Sequence, residues 1–174
     1  HLFNRINKHV KGDINDPRVI FEHSEVHNRF GSPRAFENLP LFSGRSTLEG
    51  VFHQASINSP YVFYLQSEAS ERGSGPFPQY TYNRLNPDLA LPHMRMYNVD
   101  TIITVSDKAR AAYTEHPEFT STFKEGQYEV FAVGGGNTGY VTVPGFSPVL
   151  YDGPEWKRAL DRGGWRGEEG RGRG

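Results

Sequence analysis

The sequence predicts a mixed α+β fold, an α/β arrangement in which helices pack on a mixed β-sheet, and three observations predict it. Residues 18–22 and 99–105 are short apolar runs rich in β-branched and aromatic residues, bounded by turn residues and of strand length. Helix caps stand directly before apolar stretches at Ser59-Pro60, Asn86-Pro87 and Ser106-Asp107. Further on, residues 119–123 and 128–133 flank Lys124-Glu125-Gly126-Gln127, which has the length and composition of a hairpin turn. Helix-linked strands followed by β-hairpins in the C-terminal third give a sheet that is parallel in one part and antiparallel in another.

Taken in order, Leu2, Phe3, Ile6 and Val10 are spaced for one stripe of a short helix over residues 2–11, with Lys8, His9 and Lys11 in or after its last turn and Gly12 to stop it. A polar turn to Pro17 precedes the first strand at residues 18–22. From His23 to His53 no period of 2 or 3.6 persists. So long a stretch inside a compact domain is either a functional surface or contains elements without a periodic signature. Ser59-Pro60 opens a helix through Glu68. Asn86-Pro87-Asp88 opens another ahead of Leu89, Leu91, Met94 and Tyr97, which Pro92 is expected to kink or delay. Residues 99–105 are the clearest strand, and Ser106-Asp107 caps a helix to about Tyr113. If the strands at Arg18 and Val99 are parallel neighbours, the intervening segment must cross over right-handed, and it is long enough to do so. Two more extended runs are expected at 140–143 and 148–151.

The chain has 174 residues, enough for one core, and the reading is a single globular domain over 1–162 that begins with a linker helix at 2–11. Residues 163–174 alternate Gly with charge and read as a disordered tail or linker. Lys and Arg total 19 against 20 Asp and Glu, a formal charge of −1, so no basic footprint for nucleic acid or an anionic membrane is expected. The absence of cysteine excludes disulfide scaffolds, thiolate zinc sites and cysteine nucleophiles. No window approaches the roughly 18 apolar residues of a membrane span, and no signal-peptide core opens the chain, so it is expected to be soluble as it stands.

Gly134-Gly135-Gly136-Asn137-Thr138-Gly139 satisfies the dinucleotide fingerprint in form, but the fingerprint needs a helix to follow and Tyr140-Val141-Thr142-Val143 reads as extended. A turn is the expectation. His23 and His27, with His53, form a conceivable zinc set. A strand continuing through His23 would hold the first two about 13 Å apart, and neither metal nor other cofactor is expected. Asp13, Asn15 and Asp16 are taken as turn residues, not a calcium loop. No nucleophile elbow occurs. The densest set of recognition groups is Glu22, His23, Asn28, Arg29, Arg34, Arg45 and Glu49, with Glu37 among them and Phe30, Phe36, Phe42 and Phe52 between. Planar donors, carboxylates and aromatic faces suit a polyhydroxylated ligand. Internal salt bridges that anchor an irregular loop account for the same residues equally well. Phe30, Phe36, Phe42, Tyr61 and Tyr64 are candidates for an apolar interface with another polypeptide.

Three segments also produce a resemblance: Arg18-Val19-Ile20-Phe21-Glu22-His23 leading to Asn28-Arg29-Phe30-Gly31; Leu39-Pro40-Leu41-Phe42-Ser43-Gly44-Arg45-Ser46-Thr47-Leu48-Glu49-Gly50; and Tyr97-Asn98-Val99-Asp100-Thr101-Ile102-Ile103-Thr104-Val105-Ser106. The chain resembles the extracytoplasmic soluble domain of prokaryotic polytopic membrane proteins similar to GT-C glycosyltransferases and oligosaccharyltransferases. Some of these carry the label 6-pyruvoyl-tetrahydropterin synthase-related. The resemblance spans roughly residues 18–156 and implies a multi-span membrane portion before the domain, with residues 2–10 as the link. It puts the parent protein's glycosyl transfer in loops between membrane helices, outside this chain. The implied role is non-catalytic contribution to glycan or acceptor recognition at the extracytoplasmic face. The implied partners are a glycan or lipid-linked saccharide and the protein's own transmembrane portion. A structural or assembly module contacting a protein partner is the alternative. The W-W-D acceptor signature of oligosaccharyltransferases is absent, and no H-x-H of the pterin synthases occurs.

Overall fold

The computed structural model describes residues 1–50, 59–75, 81–135 and 139–141, and the fold is that of the compact unit His1–Tyr140. The architecture is mixed α+β, with four strands ordered β1-β2-β4-β3. These are β1 (Arg18–Phe21), β2 (Val99–Thr104), β3 (Phe119–Glu125) and β4 (Tyr128–Val133). β1 and β2 pair in parallel, with Ile20 opposite Ile102 and Phe21 opposite Ile103. β2–β4 and β4–β3 are antiparallel. The hairpin turn tightens to Gly126-Gln127, where Gly126 takes φ +60, because β3 runs two residues beyond its expected end.

The continuous apolar runs of β1 and β2 follow from burial on both faces. On one face, Val19, Phe21, Ile103, Val105, Tyr128 and Val130 pack against Ile6 and Val10 and against Phe36 and Leu39. Ile6 belongs to α1 (Leu2–His9), whose apolar stripe is the one read from the spacing, and Leu39 opens α2 (Leu39–Ser43). On the other face, Ile20, Ile102 and Phe131 are buried, and Phe131 meets Tyr113 with ring centroids 5.8 Å apart. Tyr113 lies on α5 (Asp107–Glu115), and its hydroxyl donates to the Ala69 carbonyl at the end of α3 (Ser59–Ala69), 3.2 Å away. α4 (Pro87–Met96) carries buried Ala90, Leu91 and Met94.

Two of the three expected caps work as the sequence predicts, whereas Ser59 lies inside α3 as its first residue and its buried Oγ has no hydrogen-bond partner among the described residues. Asn86 Oδ1 accepts from the backbone N–H groups of Asp88 and Leu89, and Ser106 Oγ accepts from Ala109. Pro92 lies inside α4 and does not delay its start. Pro92 lacks the N–H that would bond the carbonyl of Asp88, an exposed residue that water can reach. The stretch after β1 holds elements that the pattern could not show: 3-10 turns at Glu25–Phe30 and Ala35–Asn38, then α2. Each is too short to display a 3.6-residue period. Tyr140 and Val141 belong to no strand. The remainder of that run, the run at 148–151, the expected tail and most of the glycine fingerprint lie outside the described residues. Among the described residues, no helix is long and apolar enough to cross a membrane.

Candidate functional site

The carboxyl ends of β1 and β2 are the place where an open sheet with parallel strands leaves room for a ligand. Glu22 extends β1 by one residue, and its backbone N–H donates to the Ile103 carbonyl at 2.8 Å. Its buried carboxylate turns to the start of α5. There it accepts from the backbone N–H groups of Val105 (2.7 Å) and Ser106 (2.9 Å) and from Ser106 Oγ (2.5 Å). A more distant N–H, that of Glu71, adds a fourth contact at 3.3 Å. A carboxylate at a helix N-terminus meets both unpaired N–H groups and the positive end of the helix dipole, so Glu22 is fixed by four donors.

His27 stands behind Glu22 and is fully buried. A carbonyl can only accept, so Nε2 donates to the Glu22 carbonyl at 2.7 Å, and Nδ1 of the neutral ring accepts from the Tyr128 hydroxyl at 3.0 Å. Burial holds the His27 pKa below its ordinary value, against the smaller pull of the Glu22 carbonyl and charge. Phe21, Phe36 and Tyr128 ring it with centroids 5.0–6.2 Å away. His23, by contrast, points outward, with Nδ1 3.1 Å from the Arg72 carbonyl. Neither nitrogen of His27 has a lone pair left for a metal. His53 lies outside the described residues.

A second polar line runs sideways from His23. Its N–H donates to Ser70 Oγ (3.0 Å), Ser70 donates to Gln66 Oε1 (2.5 Å), and Gln66 Nε2 donates to the Phe21 carbonyl (3.0 Å) and to Glu49. Burial pushes the Glu49 carboxyl up to about 7. The Gln66 amide opposes that rise, the Glu37 carboxylate adds to it, and the Arg34 guanidinium opposes it. Arg34 pairs with Glu37 through Nε and reaches the Gly50 carbonyl at 3.3 Å. Gln66 and Ser70 escaped the sequence reading because α3 is buried nearly all round, so its polar residues face partners and not water. A block of polar residues closing an otherwise apolar helix was the available signal. Glu68, on the same helix and also fully buried, accepts from Asn83 Nδ2 and pairs with His93 Nδ1, each at 2.6 Å. The chain clears α3 only because residue 73 is Gly, since a Cβ there would collide with the Ser67 backbone.

The seven residues expected to bind ligand do not form one cluster. Glu22, His23, Glu49 and Arg34 belong to the linked network at the carboxyl end. Asn28 and Arg29 lie exposed on the 3-10 turn beside it, Asn28 donating to Glu25 at 2.6 Å and Arg29 standing 5.8 Å from the Phe30 ring centroid. Arg45 is at the opposite end of the sheet, roughly 15 Å away by strand rise. It is buried, donating through Nε to the Pro17 carbonyl at 2.9 Å and pairing with Asp100.

The chain belongs to the DUF8559 family. That family's model, described as a domain of unknown function, matches residues 2–144 and so takes in every element described above. No curated protein and no solved structure matches the chain. Within the DUF8559 domain, three of the seven expected residues, Glu22, Arg45 and Glu49, are buried structural ties, whereas His23, Asn28, Arg29 and Arg34 keep surface. Among the described residues no group of three His, Asp or Glu side chains could hold a metal ion.

Proposed function

We propose that this domain is a non-catalytic, extracytoplasmic part of a prokaryotic membrane glycosyltransferase-like protein, and that it contributes to recognition of a glycan, a lipid-linked saccharide or an acceptor. One observation carries the reading. The side chains best suited to a polyhydroxylated ligand that retain surface, His23, Asn28, Arg29 and Arg34, all follow the carboxyl end of β1 on one irregular segment. Glu22, Glu49 and Gln66 anchor that segment from beneath. Pre-fixed loops of this kind lose little entropy when they bind, and planar guanidinium groups hydrogen-bond vicinal hydroxyls or acidic sugars. The resemblance of residues 18–31, 39–50 and 97–106 supports the same reading. Calorimetry of the folded domain against bacterial and archaeal glycans tests it. Binding should weaken about tenfold or more in Arg29→Ala or Arg34→Ala, as expected for loss of a charge-assisted hydrogen bond. A flat response from folded protein across the panel would sink the proposal.

A second reading, an assembly module that contacts another polypeptide, is favoured by the exposed apolar side chains of α2 and the nearby turn. Leu41 is 78% exposed, Phe42 56% and Ile14 73%. Of the aromatics expected to form such a surface, Phe36 is fully buried and Phe30, Tyr61 and Tyr64 are half-buried, which leaves Phe42 as its centre.

A further inference from the structure

Three large apolar side chains lie open to water on two joined elements. Leu41 and Phe42 stand on α2, and Ile14 stands on the turn that follows α1. The elements meet where the Gly12 N–H donates to the carbonyl of Ser43, the residue after Phe42, at 3.0 Å. A Cβ on Gly44 would overlap the Gly12 carbonyl, so the two segments touch through backbone. Ile14 occupies a turn position where Gly and short polar side chains prevail. The turn closes without it: Asp13 Oδ1 accepts from the Asn15 N–H at 2.7 Å, and Asp16 Oδ2 accepts from the Asp13 N–H at 2.8 Å. On α2, Phe42 rests on the Phe3 ring, with centroids 5.4 Å apart. Apolar side chains left outside the core on an ordered base lose little entropy when a partner covers them.

The charges beside Gly12 select the partner. Lys11 precedes it and Asp13 follows it, both exposed, and neither has an ion-pair partner among the described residues. A partner of one sign would be attracted at one of these residues and repelled at the other. A second copy turned about a two-fold axis near Gly12 satisfies both. Its Asp13 meets Lys11 and its Lys11 meets Asp13, as an isologous interface requires. The formal charge of −1 puts no long-range repulsion between copies.

We propose that Ile14, Leu41 and Phe42 are the apolar centre of a symmetric homodimer interface, with Lys11 and Asp13 paired reciprocally between copies at its rim. The inference rests on the assembly reading and names the partner as a second copy of this chain.

Size exclusion with light scattering on the intact chain, over a concentration series at low salt, tests it. Wild type should pass from monomer to twice the monomer mass as concentration rises. Ile14→Ser, which places a turn-compatible residue at an exposed position, should abolish the dimer and leave the circular dichroism spectrum unchanged. Lys11→Asp and Asp13→Lys should each weaken association about tenfold or more, because like charges then face each other at both ends of the interface. The double variant Lys11→Asp with Asp13→Lys sets opposite charges face to face again and should restore the dimer. A monomer at every concentration would overturn the inference and leave the assembly reading with a different polypeptide. A dimer that survives Ile14→Ser, or a double variant as weak as the single ones, would also overturn it.

Discussion

At His27 one imidazole joins three parts of the chain: its own 3-10 turn, the end of β1 through the Glu22 carbonyl, and β4 through Tyr128. Protonation would give the ring two donors and place a charge among Phe21, Phe36 and Tyr128, where burial outweighs the attraction of the Glu22 charge. Its folded pKa is lowered, so its stabilising contribution is complete above about pH 6.5 and is lost as pH falls through the folded value. Urea titration near pH 7.5 and near pH 5 should therefore show wild type losing stability on acidification relative to His27→Gln. Equal slopes for the two proteins would contradict this. Glu49 acts with the opposite sign. Its folded pKa is raised, so its contribution is complete below about pH 4.5 and is lost as pH rises through about 7. The sequence marked both residues as notable but could not say that one is buried among aromatic rings and the other among polar groups. Burial depends on neighbours distant in sequence, such as Tyr128 for His27 and Gln66 for Glu49.

At the scale of elements, three hydrogen bonds from Val105 and Ser106 to the Glu22 carboxylate make the joint between β1 and α5. Ser106 alone was legible there, because a Ser before Asp-Lys-Ala is a cap in any context. Its second partner, Glu22, lies 84 residues earlier and was legible only as a carboxyl near other polar groups. Two variants separate the roles. Ser106→Ala should cost about 1 kcal/mol, the value of a lost N-cap. Glu22→Ala should cost about 3 kcal/mol or more, because the buried Val105 N–H and the half-buried Ser106 N–H lose their acceptor without gaining water. Chemical denaturation at neutral pH measures both, and equal costs would show that the Glu22 carboxylate is not what seats α5. The parallel pairing of β1 with β2 is the case the sequence left conditional, and the short turns at Glu25–Phe30 and Ala35–Asn38 had no signature in it. Their residues follow tertiary contacts, with Phe36 enclosed by Phe3, Phe21, His27, Phe30 and Tyr128.

At the scale of the whole molecule, β1, β2 and β4 are largely buried while β3 is mostly exposed, and α2 leaves Leu41 and Phe42 exposed, as is Ile14. The Phe3 ring contacts Phe42 at 5.4 Å, so the exposed side chain rests on an ordered base and does not swing freely. If this surface joins copies of the chain, light scattering after size exclusion should show association that grows with concentration. Phe42→Asp should abolish it with little change in stability, since the position is already more than half exposed. A strict monomer at every concentration would remove the homo-oligomeric form of the assembly reading and leave contact with a different polypeptide.

The sequence by itself determined the four strands of the sheet, the caps at Asn86 and Ser106 and the mixed character of the sheet. Those signals are local: apolar runs, a Ser or Asn before a helix, and a Gly at a turn act through backbone geometry within a few residues. Tertiary structure alone decided which polar residues are ties and which keep surface. Glu22, Arg45 and Glu49 looked equivalent to Arg29 and Arg34 along the chain. Chain folding sent Arg45 to the amino end of the sheet and Glu22 to the carboxyl end, and buried Glu49 beneath α3. The physical reason is that the free energy of a charged group is set by its solvent and its partners. For these residues the decisive partners, Asp100, Val105 and Gln66, lie 17 to 83 positions away.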